Sequence, residues 1–133
     1  MNSISRWTLD EEKEKDGVWK KLGNGEEIKV RPGGSAGNLE QAQHIMDALK
    51  TMGYSSPEDA TENEMMPVVI ESLALHVLVS WKGFKDENGK ELKPTIDNKK
   101  MMLEKRLFRQ RVLEEAEKVG NFLIEKTKDA VKN

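Results

Sequence analysis

The sequence predicts an α+β fold that is mainly α, with an N-terminal β-hairpin packed on about four helices. Two short β-like runs flank Gly23-Asn24-Gly25, and this arrangement is a strong hairpin signal. Later segments repeat apolar residues at helical spacing, and the stretch 65–81 is apolar on nearly every side, which is typical of a buried central helix. A length of 133 residues suits one domain.

Residues 1–16 form a mostly polar N-terminal arm with a charged run, DEEKEKD. Thr8 and Glu11 are spaced as a capping box for a short helix that ends near Gly17. The alternative is a loosely held arm attached through Trp7 and Leu9. The single domain is expected to follow, over residues 17–124.

The hairpin covers residues 17–31, and its register can be predicted. A two-residue Asn-Gly turn would place Lys20 opposite Lys29, and like charges in direct opposition are unfavourable. A three-residue loop, with Gly25 in the left-handed conformation, avoids this contact. We therefore expect the pairs Val18–Val30, Lys20–Ile28 and Lys21–Glu27, with one apolar face formed by Val18, Leu22, Ile28 and Val30.

The first two helices follow a breaker cluster, RPGGSAGN, at 31–38. The first is predicted at about 38–53 and ends at Gly53. Its apolar stripe consists of Leu39, Ala42, Ile45, Met46, Leu49 and Met52. The second is predicted at about 64–82, with Pro67 tolerated in its first turn. The β-branched residues at its end also permit a strand, but about 17 residues without a turn signal favour a helix.

The last two helices are predicted at about 95–106 and 108–124. Thr95 is the expected cap of the first, and Gly120 weakens the second by about 1 kcal/mol without necessarily breaking it. The apolar face of the second contains Val112, Ala116, Val119 and Leu123. Residues 125–133 are predicted to fray.

Composition excludes several classes of function. Charged residues make up 35% of the chain, against about 25% in typical domains, so the core is thin. Self-association or a partner often completes such a core, although a hydrophilic monomer also fits.

The net charge of −2 gives no general attraction to nucleic acid or membranes. Without cysteine there is no thiolate or disulfide chemistry. Because no apolar signal segment opens the chain, we expect a soluble protein that works in a cytoplasm.

The residues offer little for catalysis. His44 and His76 lack the spacing that would place two metal ligands on one helical face, so partly buried structural histidines are expected. The loop PGGSAGN, at 32–38, precedes a helix and could hold an anion on its amides, but the lysine of a phosphate loop is missing. We expect no enzymatic activity, no cofactor and no metal site. A small enzyme built around the histidines is the competing hypothesis.

Two further patterns can each be interpreted either as a binding site or as a purely structural feature. The helix segment KRLFRQR carries Lys105, Arg106, Arg109 and Arg111, which would suit a small nucleic-acid-binding regulator. Acidic residues in LEEAEK follow one turn later, so a solvated helical face is favoured. The methionine pairs Met65-Met66 and Met101-Met102 either fill gaps in the core or form an adaptable binding surface.

Three features also occur in a recognisable order: the strand-turn-strand GVWKKLGNGEEIKVRP, the helix exit LVSWKGFKDENGKELKPT, and the closing segment FRQRVLEEAEKVGNF. Over residues 17–124 this order resembles the tail assembly chaperones of long-tailed, siphovirus-type bacteriophages and prophages. The matching positions are Trp81, Gly83, Asn88-Gly89, Pro94, Thr95 and Asn121-Phe122. Asn24 stands where that family often has aspartate.

The resemblance implies a helical, non-enzymatic protein that binds the tape measure protein and keeps it soluble. Such chaperones help recruit tail tube subunits and are absent from the mature virion. Many are also made as a longer, frameshifted product. A homo-oligomer in the host cytoplasm is expected, with no nucleic acid or membrane partner.

The resemblance and the chemistry of the residues together suggest two groups of functional positions. The first anchors the helix-exit loop and consists of Trp81, Gly83, Phe84, Gly89 and Pro94. The second is a candidate partner-binding surface and consists of Met65, Met66, Met101, Met102, Phe108 and Phe122.

Overall fold

The computed structural model describes residues 2–124, and the predicted fraying of 125–133 lies outside this range. The α-helices are α1 Ser3–Arg6, α2 Glu11–Asp16, α3 Leu39–Met52, α4 Glu62–His76, α5 Ile96–Glu104 and α6 Arg106–Glu117. The strands are β1 Val18–Gly23, β2 Glu26–Val30 and β3 Leu78–Lys82. Short 3-10 turns cover Gly34–Ala36, Pro57–Asp59 and Val119–Phe122. The predicted fold class, mainly α with an N-terminal β-hairpin, is confirmed.

The N-terminal arm is tied to the other end of the domain. The backbone N–H of Asp10 donates to the carbonyl of Phe122 at 2.7 Å, and the N–H of Ile124 donates to the carbonyl of Thr8 at 2.9 Å. The predicted Thr8 cap is wrong, because the Asp10 carboxylate accepts the first free amides of α2. Aspartate is a stronger cap than threonine and also suits the positive end of the helix.

The hairpin has the predicted register. Val18 pairs with Val30, Lys20 with Ile28 and Lys21 with Glu27. The predicted three-residue loop is wrong, because Gly23 pairs with Glu26 and leaves a two-residue turn of Asn24 and Gly25, both with positive φ (54° and 79°). A bulge between Lys21 and Gly23 shifts the register and so produces the predicted pairs. As expected, this register places the apolar side chains of both strands on one face.

The predicted helix at 64–82 is wrong at both ends. Thr61 and Glu64 form a capping box, so α4 begins at Glu62 and Pro67 lies in its second turn. The helix ends at His76, and Leu78–Lys82 forms β3, antiparallel to β2. The sheet order is β1-β2-β3.

Helix α4 ends although no glycine or proline directly follows it. It ends because side chains from distant parts of the sequence bond to its last carbonyl groups. The carbonyl of His76 accepts hydrogen bonds from Arg31 Nη1 at 3.3 Å and from Asn38 Nδ2 at 3.0 Å. The next carbonyl, of Val77, accepts the backbone N–H of Arg31 at 2.9 Å. Because the last carbonyls of a helix need partners, these contacts replace a local C-cap.

The last predicted helix, 108–124, also ends early. α6 ends at Glu117 and a 3-10 turn follows. The buried Asn121 side chain donates Nδ2 to the carbonyl of Glu115 at 2.9 Å, and this bond satisfies one of the terminal carbonyls of α6. Phe122 can therefore turn into the core rather than continue along a helix.

The main core lies between one face of the sheet and three helices, α4, α5 and α6. Its fully buried side chains include Ile28 and Val30 from β2, Leu73 from α4, Leu103 from α5 and Val112 from α6. Helix α3 packs on α4. Of the predicted stripe on α3, only Leu49 is fully buried. Within residues 2–124, no helix is both long and apolar enough to cross a membrane.

Candidate interaction surfaces

The predicted helix exit is wrong, because Trp81 lies in β3 and the loop follows that strand. The loop, for which the name helix-exit loop is kept, is fixed to the core by three aromatic rings. Trp81 and Phe84 are each 4% exposed, and their ring centroids are 5.0 Å apart. Phe108 of α6 meets both rings edge-on, at 6.0 Å from Trp81 and 5.6 Å from Phe84. Such aromatic pairs contribute about 0.5–1.5 kcal/mol each beyond the area they bury. The rings therefore join the start of the loop to α6.

Hydrogen bonds close this loop on itself. Trp81 Nε1 donates to the carbonyl of Leu92 at 2.6 Å, and the N–H of Leu92 donates to the carbonyl of Phe84 at 2.9 Å. At the tip, Asp86 Oδ1 accepts the amides of Asn88 and Lys90. The polar sequence of the loop is thus a small closed turn held by a buried tryptophan.

Two glycines of the loop have the same φ, +79°, but different surroundings. A Cβ on Gly83 would overlap the backbone carbonyl of Gly25 in the β1–β2 turn, whereas a Cβ on Gly89 would meet no atom within 4 Å. Pro94 is half-buried, and Thr95 beyond it accepts the Asn98 amide at 3.2 Å as the cap of α5. Gly83 is therefore the position where the loop and the hairpin touch.

The predicted partner-binding surface is not one surface. Met101 is 40% exposed and Met65 is half-buried. Met66, Met102 and Phe108 pack against the core. Phe122 has no exposed area, so its assignment to a surface is wrong; its burial follows from the 3-10 turn that ends α6. Most of these side chains fill the core.

A different apolar surface lies on α3. Leu39 is 89% exposed and Met46 is 40% exposed, and Ala42 between them is also exposed. Residues separated by three and seven positions share one side of a helix, so these three form a continuous strip, called here the α3 strip. All three belong to the apolar stripe that the sequence predicts for this helix.

Comparison with known proteins places the chain in a family. A family model described as YdaY prophage protein matches residues 36–133. The chain belongs to the YdaY prophage protein family. The match includes α3 to α6 and β3, but it begins after the β1–β2 hairpin. No curated protein and no solved structure matches the chain.

In this prophage protein the glycine-rich loop at 32–38 already holds an anion of its own. The N–H of Ser35 donates to Glu117 Oε2 at 2.9 Å, and the N–H of Gly34 donates to Gln41 Oε1 at 3.1 Å. A carboxylate from α6 and a neutral amide oxygen from α3 thus occupy two of the N–H groups that a phosphate would need. The loop joins α6 to the start of α3.

Two of the four cations in the basic segment 105–111 are committed to internal contacts. Arg109 Nη1 donates to the carbonyls of Leu103 and Glu104 at the end of α5. Arg111 pairs at 3.1 Å with Glu115, whose side chain is 3% exposed. Lys105 and Arg106 remain exposed. These contacts favour the interpretation of the segment as a solvated helical face.

The two histidines lie together between helices. Their ring centroids are 5.4 Å apart in an edge-to-face arrangement. His44 Nε2 lies 3.3 Å from Glu71 Oε1, and His76 Nδ1 lies 3.6 Å from Glu40 Oε2. Within residues 2–124, no group of three or more His, Asp or Glu side chains is arranged to hold a metal ion. The contacts link α3 to α4.

Cations at both ends of this network stabilise the two carboxylates. The hydrogen bond from Arg31 lowers the pKa of Glu40. The hydrogen bond from Lys100, 3.0 Å long, lowers the pKa of Glu71. Because Glu71 contacts both His44 of α3 and Lys100 of α5, it connects the helices on either side of α4.

Proposed function

We propose that this prophage protein is a tail assembly chaperone. In this role it binds the tape measure protein, keeps it soluble, helps recruit tail tube subunits and is absent from the mature virion. Membership of a prophage family and the sequence resemblance support the phage context. The observation that carries the proposal is the uncovered α3 strip.

The α3 strip has the chemistry of a helix-binding surface. An amphipathic partner helix is recognised through apolar anchors one or two turns apart, and Leu39, Ala42 and Met46 have this spacing. Burying a leucine that is 89% exposed contributes about 2 kcal/mol. Met46 adapts to partners of differing shape because its side chain is unbranched and flexible. These properties suit a long helical client with many similar apolar stretches.

Two further partners belong to the proposal. The α3 strip also suits self-association, so the chaperone is proposed to form a homo-oligomer when no client is bound. Tail tube subunits are recruited by the client-bound complex or by a longer, frameshifted form. All of these events would take place in the cytoplasm of the host bacterium.

The experiment is co-expression with the tape measure gene of the same prophage. The wild-type protein is expected to co-purify with the tape measure protein and to raise its soluble fraction. Met46→Glu should abolish both effects, since it places a charge in the α3 strip. Met101→Glu is the matched control, because Met101 is also a 40% exposed methionine on a helix.

Circular dichroism of both variants separates lost binding from lost folding. If the wild-type protein neither co-purifies with the tape measure protein nor raises its solubility, the chaperone function is refuted. If Met101→Glu removes binding while Met46→Glu does not, the client binds at α5 and the role of the α3 strip is wrong.

A further inference from the structure

The solvent side of the sheet carries two rows of side chains across the three strands. One row is Trp19, Lys29 and Ser80, and the other is Lys21, Glu27 and Lys82. Trp19 is 38% exposed. Lys82 Nζ lies over its ring at 4.0 Å and Lys29 Nζ at 5.9 Å. Tryptophan and lysine thus form the centre of this face.

A cleft of about 460 Å³ continues this face toward the C-terminal end of α4. Lys29 belongs to both the face and the cleft, whose apolar walls include Leu75, Val79 and Ile96. Leu75 is 47% exposed and Ile96 is 39% exposed. The face and the cleft together are called here the sheet groove.

Lys99 is the buried polar group of the sheet groove. The residue is only 7% exposed, and its Nζ donates to the carbonyl of Val79 at 2.9 Å. Burial lowers the pKa of Lys99. No acidic side chain among residues 2–124 lies within ion-pairing distance of this ammonium. A buried cation without a counter-charge is unfavourable. The carboxylate of a bound partner would supply the counter-charge that this ammonium lacks.

The sheet groove is positive on a protein that is negative overall. It contains five lysines, Lys15, Lys21, Lys29, Lys82 and Lys99, and two acids, Asp16 and Glu27, whereas the whole chain has a net charge of −2. Within residues 2–124, none of these lysines forms an ion pair within 4.0 Å. The groove therefore has cations available for an anionic partner.

We propose that the sheet groove binds an acidic protein segment that also carries apolar side chains. The lysines meet its carboxylates, and Leu75, Val79 and Ile96 meet its apolar residues. Single-stranded nucleic acid fits less well. Its bases need an open aromatic face, and Lys82 covers that face of Trp19. This second binding surface goes beyond the proposed chaperone function and does not depend on it.

The test is fluorescence anisotropy with four labelled probes. The first is a 12-residue peptide of alternating glutamate and leucine; in the second and third, lysine replaces glutamate and serine replaces leucine. The fourth is a 12-nucleotide oligothymidine. The Glu–Leu peptide is expected to bind most tightly, the Glu–Ser peptide roughly tenfold more weakly, and the Lys–Leu peptide not at all. Binding should weaken as salt rises.

Protein variants then locate the site. Lys29→Gln combined with Lys82→Gln should weaken binding of the Glu–Leu peptide roughly tenfold. Lys50→Gln combined with Lys90→Gln removes two exposed lysines outside the sheet groove; this double variant is the matched control and should change nothing. Lys99→Met should also weaken binding while the protein keeps its circular dichroism spectrum. The co-expression experiment tests the α3 strip by a separate measurement. The chaperone function and the binding role of the sheet groove can therefore each be refuted without affecting the other.

Three results would overturn the proposal. The first is absence of binding by the Glu–Leu peptide at low salt. The second is tighter binding of oligothymidine, which would make the sheet groove a nucleic-acid site. The third is equal loss of affinity in the Lys50 and Lys90 control and in the Lys29 and Lys82 double variant, since general charge would then explain the binding.

Discussion

Replacing Gly83 with alanine tests whether the helix-exit loop is locked against the hairpin. Gly89→Ala is an unusually close control, because both glycines have φ +79°. Each alanine must adopt a left-handed conformation, at a cost of about 1–2 kcal/mol. Only the Cβ at position 83 overlaps another part of the chain, the carbonyl of Gly25.

The difference between the two variants isolates this overlap. Relief requires a shift of the β1–β2 turn or of the loop, and overpacking of this kind costs about 1–3 kcal/mol. Gly83→Ala should therefore lose about 1–3 kcal/mol more unfolding free energy than Gly89→Ala in urea titrations followed by circular dichroism. The corresponding difference in Tm is about 4–12 °C. Equal losses in the two variants would refute the close contact between loop and hairpin.

Three further predictions concern hydrogen bonds and charge. Trp81→Phe should cost about 1–3 kcal/mol in urea unfolding, because it removes the bond from Nε1 to the carbonyl of Leu92; the same change at Trp19, which is 38% exposed, should cost less than about 0.5 kcal/mol. Glu117→Ala should cost about 1 kcal/mol by freeing the Ser35 amide, and Glu117→Gln less, since an oxygen acceptor remains; equal costs would argue against the bond. Acid should destabilise the fold. The pKa of Glu71 is lowered from 4.5, so its stabilising contribution is present above that pH and is lost as pH falls through the lower folded value; Glu71→Gln should flatten the decline of Tm below pH 4.5, and an unchanged decline would contradict the assignment.

The hairpin was predictable because its determinants are local. The glycine-flanked turn and the repulsion between Lys20 and Lys29 selected the correct pairs without knowledge of the rest of the chain. The bulge between Lys21 and Gly23, which combines these pairs with a two-residue turn, was not predicted. The predicted cap at Thr95 is equally local, and the structure contains it. Short-range chemistry of this kind is visible in a sequence.

Strand β3 was not predictable in the same way. The apolar run at 65–81 contains no glycine and no proline after Pro67, so a continuous helix was the natural inference. Arg31 and Asn38, far away in the sequence, stop α4 at His76, and β2 then recruits the following residues. Long-range capping and strand pairing determined where α4 ends and β3 begins. The β-branched residues at 77 and 79 were the only local sequence signal for this strand.

The candidate site was predictable only in part. Trp81 and Phe84 proved to be buried anchors, but the third ring, from Phe108, was assigned to a surface. A sequence pattern shows which residues share one side of a helix, but it does not show how much of that side is covered by another element. The exposure of Leu39 and Met46 was therefore known only from the structure. The position of Trp19 beside Lys29 follows from the predicted register and could have been found.

The sheet order has a consequence during synthesis. Strand β2 is central, yet its neighbour β3 lies about 50 residues later in the chain. At translation rates of about 5–20 residues per second, the ribosome needs about 3–10 s to make the intervening segment. For that time the nascent hairpin has an unpaired edge beside Ile28 and Val30, which makes these seconds the period when the chain is most vulnerable to aggregation.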